Sequence, residues 1–335
     1  MSLNYQASGR RQAEVVETRW ILHSSNHLVL ARPSRTLFSF FMDVFVTGGT
    51  GTIGSAVVRK LVLDGARVIG LARSDASSKA LRAAGASAYP GDLASPESWV
   101  GRAASCDAIV HTGATFGPEM GRIDRQSMLA LKKAARHRKQ PLKVIYTGGI
   151  WLFPPSGPHE MLTEKTHFAP LPAFRFMAET IRTLSNGTDL NLTVIHPALV
   201  CGPETGPIAA MTAALRAGEP FRTRASPDTV WPLVETQDLA DLYLLALRQA
   251  RFRQTFIGSG ISGISAGHLA SHISARHGLA LEIVTEPTPA GAAPANDWEA
   301  GYARSQRVDT GHARRATGWQ PEHSTVEDLV VALSK

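Results

Sequence analysis

Three glycines after the first apolar stretch of the chain have a spacing that suits a phosphate-binding turn. In the stretch TGGTGTIG, Gly48, Gly51 and Gly54 stand three residues apart. The first glycine permits a tight turn, the second lets a pyrophosphate approach the backbone, and the third lets a helix pack closely on the preceding strand. That helix would begin near Thr52 and Ile53, so its N-terminal amides would face the anion. Because the preceding residues DVFVT predict a short apolar strand, the pattern indicates a dinucleotide-binding site.

The end of the next predicted strand, GLARSD, indicates which dinucleotide is bound. NAD-binding folds usually place a carboxylate here to accept hydrogen bonds from the adenosine ribose, whereas a 2′-phosphate requires positive charge. Ala72 occupies the acidic position, and Arg73 and Ser74 follow it. Asp75 is interpreted as a residue that caps or precedes the following helix, with a ribose contact as the alternative. We therefore expect NADP(H) in preference to NAD(H).

These residues must be positioned by strands and helices that alternate from Met42 onward. Helices are expected between short apolar strands, which are predicted at residues 43–47, 67–72, 86–90, 107–111, 143–147 and 192–197. Repeated β-α units with β-branched, apolar strands predict a parallel sheet with helices on both faces. The predicted fold class is therefore α/β, a doubly wound parallel (Rossmann) sheet.

Composition and charge exclude several classes of protein. The 335 residues are 44% hydrophobic and 19% charged, and no run of about 18 apolar residues is present to span a bilayer. The two cysteines, Cys106 and Cys201, lie far apart and in no metal-binding motif, so we expect neither a disulfide nor a metal site. The formal charge is +7, but the basic run LKKAARHRK lacks interleaved aromatic residues, which favours a solvated helix face over nucleic-acid binding. We expect a cytoplasmic protein.

Residues 1–41 differ from the rest of the chain, with mixed polar residues and no sustained periodicity. They are interpreted as a disordered leader or as residues upstream of a mis-assigned translation start. An organelle-targeting segment is the alternative, although Glu14 and Glu17 count against it.

Several motifs taken together resemble one family, the extended short-chain dehydrogenase/reductases of the NAD-dependent epimerase/dehydratase group. The resemblance rests on VFVTGGTGTIG, GDL at 91–93, AIVHTGA at 108–114, VIYTGG at 144–149 and VIHPALVCGP at 194–203. It implies a dinucleotide-binding domain over 42–200 and, over 201–335, mainly a smaller substrate-binding α/β region interleaved with the Rossmann core. A small-molecule substrate is expected between the two. The further cofactor-binding residues that the resemblance implies are Asp92, Leu93, Thr112, Gly113, Ala114, His196 and Pro197.

The helix after the fifth strand departs from the family pattern. Members usually carry a serine or threonine after that strand and a Tyr-x-x-x-Lys on the helix, where the tyrosine transfers a proton and the lysine holds the nicotinamide ribose. Counting back from Glu179 places Arg175 at the lysine and Leu171 at the tyrosine, and a glycine stands at the serine. Arg175 is expected to bind the nicotinamide ribose, although a guanidinium cannot carry protons near neutral pH. Thr147 is the nearest remaining hydroxyl, so Arg175 and Thr147 are the candidate catalytic residues of an atypical member.

Other interpretations of this region stay open. Arg175 has a structural alternative, in which its stem packs on neighbouring aromatic rings, and Thr147 has one as a backbone hydrogen-bonding residue. His159, Glu164 and His167 lie in the loop before the helix, where each can reach the site or remain solvated.

Two functions follow from this pattern. The first is an NADP(H)-dependent oxidoreductase or epimerase/dehydratase-like enzyme, acting on a small carbonyl, hydroxyl or nucleotide-sugar-like substrate with a non-standard proton donor or water. The second is a catalytically silent NADP(H)-binding redox sensor or interaction protein. Arg222 and Arg224 are candidates for binding an anionic or nucleotide group, with ordinary surface positions as the alternative. Whether the protein forms a homodimer stays open.

Overall fold

The computed structural model describes residues 42–249, 251–291 and 293–334, so the interpretation of residues 1–41 lies outside the described residues. The strands in chain order are β1 (Asp43–Thr47), β2 (Arg67–Ala72), β3 (Ser87–Pro90), β4 (Ala108–His111), β5 (Leu142–Thr147), β6 (Leu190–Pro197), β7 (Leu199–Cys201), β8 (Phe221–Thr223), β9 (Val230–Glu235), β10 (Gln254–Gly258), β11 (Ile261–Ser265) and β12 (Ile283–Thr285). The helices are α1 (Thr52–Leu63), α2 (Asp75–Ala83), α3 (Val100–Ala104), α4 (Met120–Ala135), α5 (Arg175–Ser185), α6 (Gly206–Ala217), α7 (Thr236–Arg248), α8 (Ala266–His277), α9 (Gly311–Thr317) and α10 (Val326–Leu333).

Seven parallel strands form the main sheet, in the order β10-β6-β5-β4-β1-β2-β3. In chain order the strands of this sheet start with β1 in the middle, continue outward to β3, and then build the other half from β4. This reversal leaves a crevice at the carboxyl ends of the strands, where ligands bind in open α/β sheets. The prediction of a doubly wound Rossmann sheet is confirmed.

Apolar side chains cover both faces of this sheet. Val44, Phe45 and Val46 of β1 are fully buried, as expected for a parallel strand that packs against helices on both sides. One face packs against α1 and α7, and the other against α3, α4 and α5. Both layers hold the carboxyl ends of the strands in fixed positions.

The chain beyond β6 contributes to two regions. Strand β10 returns to the edge of the main sheet beside β6. Strands β7, β9 and β11 form a separate three-stranded sheet, and β8 pairs with β12 in a parallel pair. Helices α6, α8 and α10 pack on these strands around a second apolar core. The part of the chain after residue 201 therefore contributes strands both to the main sheet and to the smaller sheets.

Among the described residues, no helix combines the length and the apolar character that a membrane crossing requires.

Candidate functional site

The carboxyl ends of the central strands open into a cavity of about 640 Å³. This volume lies in the range of pockets that bind small ligands and cofactors. Most residues selected from the sequence line it, namely Gly48, Gly51, Thr52, Ile53, Gly54, Arg73, Asp92, Leu93, Thr112, Gly113, Ala114, Thr147 and Pro197. Three others, Ser74, Arg175 and His196, do not.

The glycine turn packs too closely against neighbouring backbone for side chains at two of its positions. Gly48 has a φ of 69°, and a Cβ there would lie 2.6 Å from the Cα atom of Gly113. A Cβ on Gly54 would lie 2.1 Å from the carbonyl oxygen of Gly48. Helix α1 begins after Gly51 without a side-chain cap, so its first-turn amides remain available to an anion. The turn therefore fits the pyrophosphate of a dinucleotide.

The end of β2 presents a cation to the cavity. Arg73 is exposed, lines the cavity and follows Ala72, the last residue of β2. Ser74 is instead the N-cap of α2, because its hydroxyl accepts the amide proton of Ser77 at 3.2 Å. Ser77 lines the cavity, and Ser74 does not. Asp75 is the first residue of α2, in agreement with its interpretation as a residue at a helix start.

The loops after β3 and β4 form the middle of the cavity. Asp92 lines it, and one carboxylate oxygen accepts the amide of Ala94 at 2.8 Å. Thr112 directs its hydroxyl away from solvent and donates to the carbonyl oxygen of Thr47 at 2.8 Å. A Cβ on Gly113 would lie 2.7 Å from Leu93. This close packing fixes the two loops against each other.

Arg175 does not occupy the position expected from the family pattern. It begins α5 with an exposed side chain and lies outside the cavity lining. Phe174 and Met177 of the same segment line the cavity instead, because residues three apart share a helix face and the residue next to Phe174 is rotated by about 100°. Leu171, at the tyrosine position, is buried, and its amide donates to the carbonyl oxygen of Trp151 at 3.1 Å.

His196 lies outside the cavity lining and packs against the turn of Gly148 and Gly149, which line the cavity. It is fully buried, and its Nδ1 atom accepts the amide proton of Gly149 at 3.3 Å. A Cβ on Gly148 would lie 2.4 Å from the same nitrogen. Burial lowers the pKa of His196 to about 4, so the ring is neutral near pH 7. The residue shapes the Gly148–Gly149 turn and does not contact the cavity.

Thr147 faces the cavity and has a partner that the sequence did not suggest. Its Oγ1 atom lies 2.7 Å from the hydroxyl of Tyr243 on α7. Tyr243 is fully buried, and burial raises the pKa of its phenol. It is therefore a neutral hydroxyl held behind Thr147.

A buried polar network lies beside the cavity. Asp124 of α4 accepts hydrogen bonds from the Tyr146 hydroxyl at 3.0 and 3.1 Å and from Thr180 at 2.9 Å. Its Oδ1 atom also lies 3.1 Å from Nε2 of His111, whose Nδ1 lies 2.7 Å from the Thr47 hydroxyl. His111 and Asp124 line the cavity. The hydrogen bonds hold both side chains in place, and sequence analysis missed the network because its members come from five separate elements.

The far end of the cavity is aromatic. Phe116, Trp151, Phe174, Trp298 and Tyr302 line it, and we call these five residues the aromatic wall. Trp151 is central, with ring centroids 5.8 Å from Phe174, 6.4 Å from Trp298 and 5.3 Å from Tyr302. Phe116 contacts Trp298 edge-on at 6.1 Å. Sequence analysis did not select these residues.

The model of the NAD-dependent epimerase/dehydratase family matches residues 44–257, which include the glycine turn and every strand of the main sheet except the end residues Asp43 and Gly258. The chain belongs to this family. The match confirms the resemblance seen in the sequence. It makes a nicotinamide dinucleotide the cofactor expected for this family member.

Relatives of this family member extend over most of its length. An uncharacterized protein of Schizosaccharomyces pombe is 23% identical over 289 residues, which cover 85% of this chain and 97% of the relative. UDP-glucose 4-epimerase of Mycolicibacterium smegmatis is 26% identical and covers 86% of this chain and 96% of the relative. UDP-glucuronic acid 4-epimerase from Bacillus cereus, solved with UDP-glucuronic acid and NAD, superposes with a TM-score of 0.73 at 14% identity over 88% of this chain and 98% of that chain. The structural likeness shows the shared fold.

The two arginines considered for an anionic group lie elsewhere in this family member. Arg224 is nearly buried and lies 3.7 Å from Asp297, and the exposed Arg222 lies 3.8 Å from Glu286. Neither lines the cavity. Binding of an anionic group by these two arginines stays a prediction.

One cluster of metal-ligating residue types has a structural role. Glu235, Asp238 and His323 lie close together, but Glu235 caps α7 by accepting the amide of Asp238 at 3.0 Å. Asp238 accepts the amides of Glu322 at 2.8 Å and His323 at 3.0 Å, and also binds Nδ1 of His323 at 3.0 Å. The carboxylates tie the start of α7 to the loop before α10.

Proposed function

We propose that this family member is an NADP(H)-dependent oxidoreductase that interconverts a small carbonyl compound and its alcohol. One observation carries the proposal: a single cavity joins the uncapped N-terminus of α1, the side chain of Arg73 and the side chain of Thr147. The first suits a pyrophosphate and the second a 2′-phosphate. The third is a hydroxyl that can bind the oxygen of a substrate.

The cofactor preference is supported by the end of β2. Ala72 offers no carboxylate to a ribose 2′-hydroxyl, and Arg73 places a cation where a 2′-phosphate would lie. Ser77 adds a hydroxyl at the same end of the cavity. These features favour NADP(H) for this chain.

The chemistry divides between the cofactor and the chain. When bound, NADPH supplies a hydride to the carbonyl carbon. The Thr147 hydroxyl donates a hydrogen bond to the carbonyl oxygen and orients it. The buried Leu171 replaces the tyrosine that transfers the proton in the family pattern, so in this proposal water supplies the proton that completes the alcohol. Without a positioned general acid the rate falls by about 10²- to 10⁴-fold, which slows the reaction without preventing it.

Turnover with the full chain tests this proposal. The protein would be mixed with NADPH and a panel of aldehydes and ketones, and loss of NADPH would be followed with a no-protein control. We expect turnover that Thr147→Val lowers and Thr147→Ser largely retains. Turnover that Thr147→Val leaves unchanged would remove Thr147 from the mechanism. NADPH binding without turnover on any substrate would contradict the enzymatic proposal.

A second function is favoured by one observation, the burial of Leu171 at the position of the family's tyrosine. In that case the protein binds NADP(H) without catalysis, as a redox sensor or interaction protein. A sensor must discriminate NADPH from NADP⁺, so it should bind them with clearly different affinities. Equal affinities together with turnover would exclude this alternative.

A further inference from the structure

We infer that the substrate is an uncharged compound with a flat, apolar ring, which binds on the aromatic wall, and that it is not a nucleoside diphosphate sugar. This inference rests on the proposed oxidoreductase function and specifies the substrate of the same cavity. It depends on the shape of the wall, on the way it is built, and on where the charges of the cavity lie.

The wall offers a large aromatic surface on one side of the cavity. The rings of Trp151 and Trp298 are inclined by only 30°, and those of Trp151 and Phe174 by 33°. Tyr302 meets Trp151 at 75° and so closes one edge of this surface. Flat ligand rings bind such surfaces by offset stacking and edge-to-face contacts, beyond what their buried area alone provides.

The fold is adapted to hold Trp151 in this position. A Cβ on Gly301 would lie 2.3 Å from the indole atoms of Trp151, so the indole packs directly on the glycine. The next residue, Tyr302, is also fixed, because its carbonyl oxygen accepts the indole N–H of Trp231 at 2.9 Å. The wall is thus a packed part of the structure.

Positive charge is placed far from the wall. Among the described residues that line the cavity, Arg73 is the one lysine or arginine. It follows β2, which is three strand positions from β5, a separation of about 14 Å at the usual strand spacing. The Trp151 segment follows β5. A cation that serves the cofactor's adenosine end is therefore out of reach of a ligand on the wall.

Arginines near the wall are already occupied. Arg224 pairs with Asp297, next to Trp298 in the chain. Arg304 donates to backbone carbonyls, including that of Ala169 at 2.8 Å. A diphosphate bound here would lose its hydration without gaining a cation, which is unfavourable for a buried charge. An uncharged ring avoids this cost.

The test is calorimetric titration of the full chain saturated with NADP⁺, which prevents reduction of the ligand. The three ligands are 2-acetylnaphthalene, its saturated counterpart 2-acetyldecahydronaphthalene, and UDP-glucose. We expect 2-acetylnaphthalene to bind about tenfold more tightly than the saturated ketone, and UDP-glucose not to bind. Tighter binding of UDP-glucose, or equal binding of the two ketones, would overturn the inference.

Two variants locate the site. Trp298→Leu should weaken 2-acetylnaphthalene about tenfold and leave NADP⁺ affinity unchanged, which also shows that the variant is folded. If it fails to fold, Phe116→Leu at the exposed rim replaces it. Phe252→Leu, which alters an exposed aromatic ring outside the lining, is the control and should change neither affinity.

Unchanged ketone binding in the wall variants would refute the assigned site. If the unmodified chain does not bind NADP⁺, the proposed function is overturned and, with it, this inference.

Discussion

Tyr243 and Thr147 place their hydroxyl oxygens 2.7 Å apart, one fully buried on α7 and the other at the cavity surface. Their surroundings indicate which hydroxyl donates. Among the described residues, Thr147 is the one hydrogen-bond partner of the Tyr243 hydroxyl. If the phenol proton of Tyr243 pointed elsewhere, it would be buried without an acceptor. Tyr243 therefore donates to Thr147, and the proton of Thr147 is free to point into the cavity.

This pairing predicts an energetic coupling between the two residues. In a double-mutant cycle with Tyr243→Phe and Thr147→Val, we expect a coupling of about 1 kcal/mol in the free energy of unfolding. Chemical denaturation measures it without any knowledge of the substrate. Tyr89→Phe, which removes a weaker hydroxyl contact to Ser98 at 3.3 Å, is the control. Strictly additive effects would show that the hydrogen bond is not formed.

Cofactor choice is predicted to depend on Arg73. Arg73→Ala should remove most of the preference for NADPH over NADH, a change of about 1.5–3 kcal/mol for a charge-assisted hydrogen bond. Titration of both cofactors measures this difference, with Arg82→Ala as a matched exposed arginine on α2. Ser74→Ala should lower stability by about 1 kcal/mol through loss of the N-cap, with a smaller effect on cofactor affinity. Equal binding of both cofactors by the unmodified protein would refute the assignment.

Arg175 is predicted to be dispensable for cofactor binding. Because its side chain is exposed and lies outside the cavity, Arg175→Ala should leave the Kd for NADPH unchanged within about twofold, a difference worth less than about 0.5 kcal/mol. Direct titration beside Arg73→Ala checks this. A clear loss of affinity would mean that the arginine reaches the cofactor when the latter binds.

Acid should destabilise the protein through His196. Its pKa is about 4 in the folded chain and about 6.5 when unfolded, so the unfolded state binds the extra proton between these values. The contribution of the neutral His196 ring to the free energy of unfolding is therefore fully present above pH 6.5 and is lost as the pH drops toward 4. The loss between pH 7 and pH 5 is about 2 kcal/mol.

Chemical denaturation at the two pH values would show this loss. His196→Gln retains an acceptor for the Gly149 amide and should remove most of the difference, whereas His159→Gln, in an exposed loop, should not. The same pH dependence in the unmodified protein and in His196→Gln would assign the effect to other groups.

The sequence predicted the main sheet well because its signals are local. Apolar strands, glycine-terminated helices and the glycine turn after β1 each occupy a few consecutive residues, and six predicted strands correspond to β1–β6 within two residues. Ser74 caps α2 and lies outside the cavity lining, which the sequence did not reveal because a serine before a helix serves equally as an N-cap or as a ligand. Arg175 lies outside the cavity lining, which a motif count does not reveal, because the count gives a position along the helix and packing decides which side of the helix faces the cavity.

The rest of the site depends on contacts between distant parts of the chain. Tyr243 lies 96 residues from Thr147, and Trp298 and Tyr302 come from a short turn near the C-terminus. No local pattern marks them, since an apolar residue on a helix or turn is ordinarily part of a core. The residues that would bind the substrate were therefore invisible to sequence reasoning, whereas the cofactor turn was not.

The position of β10 has a consequence for how the protein unfolds. This strand lies in the chain between β9 and β11 of the three-stranded sheet. It covers the edge of β6 and pairs with it from Thr193 to Pro197. If β10 detached together with the three-stranded sheet, the amides and carbonyls at the edge of β6 would be unpaired. An unpaired strand edge can pair with other chains. Backbone hydrogen bonds as well as side-chain contacts therefore join the main sheet to the region around the three-stranded sheet. We expect both to unfold on heating in a single cooperative transition.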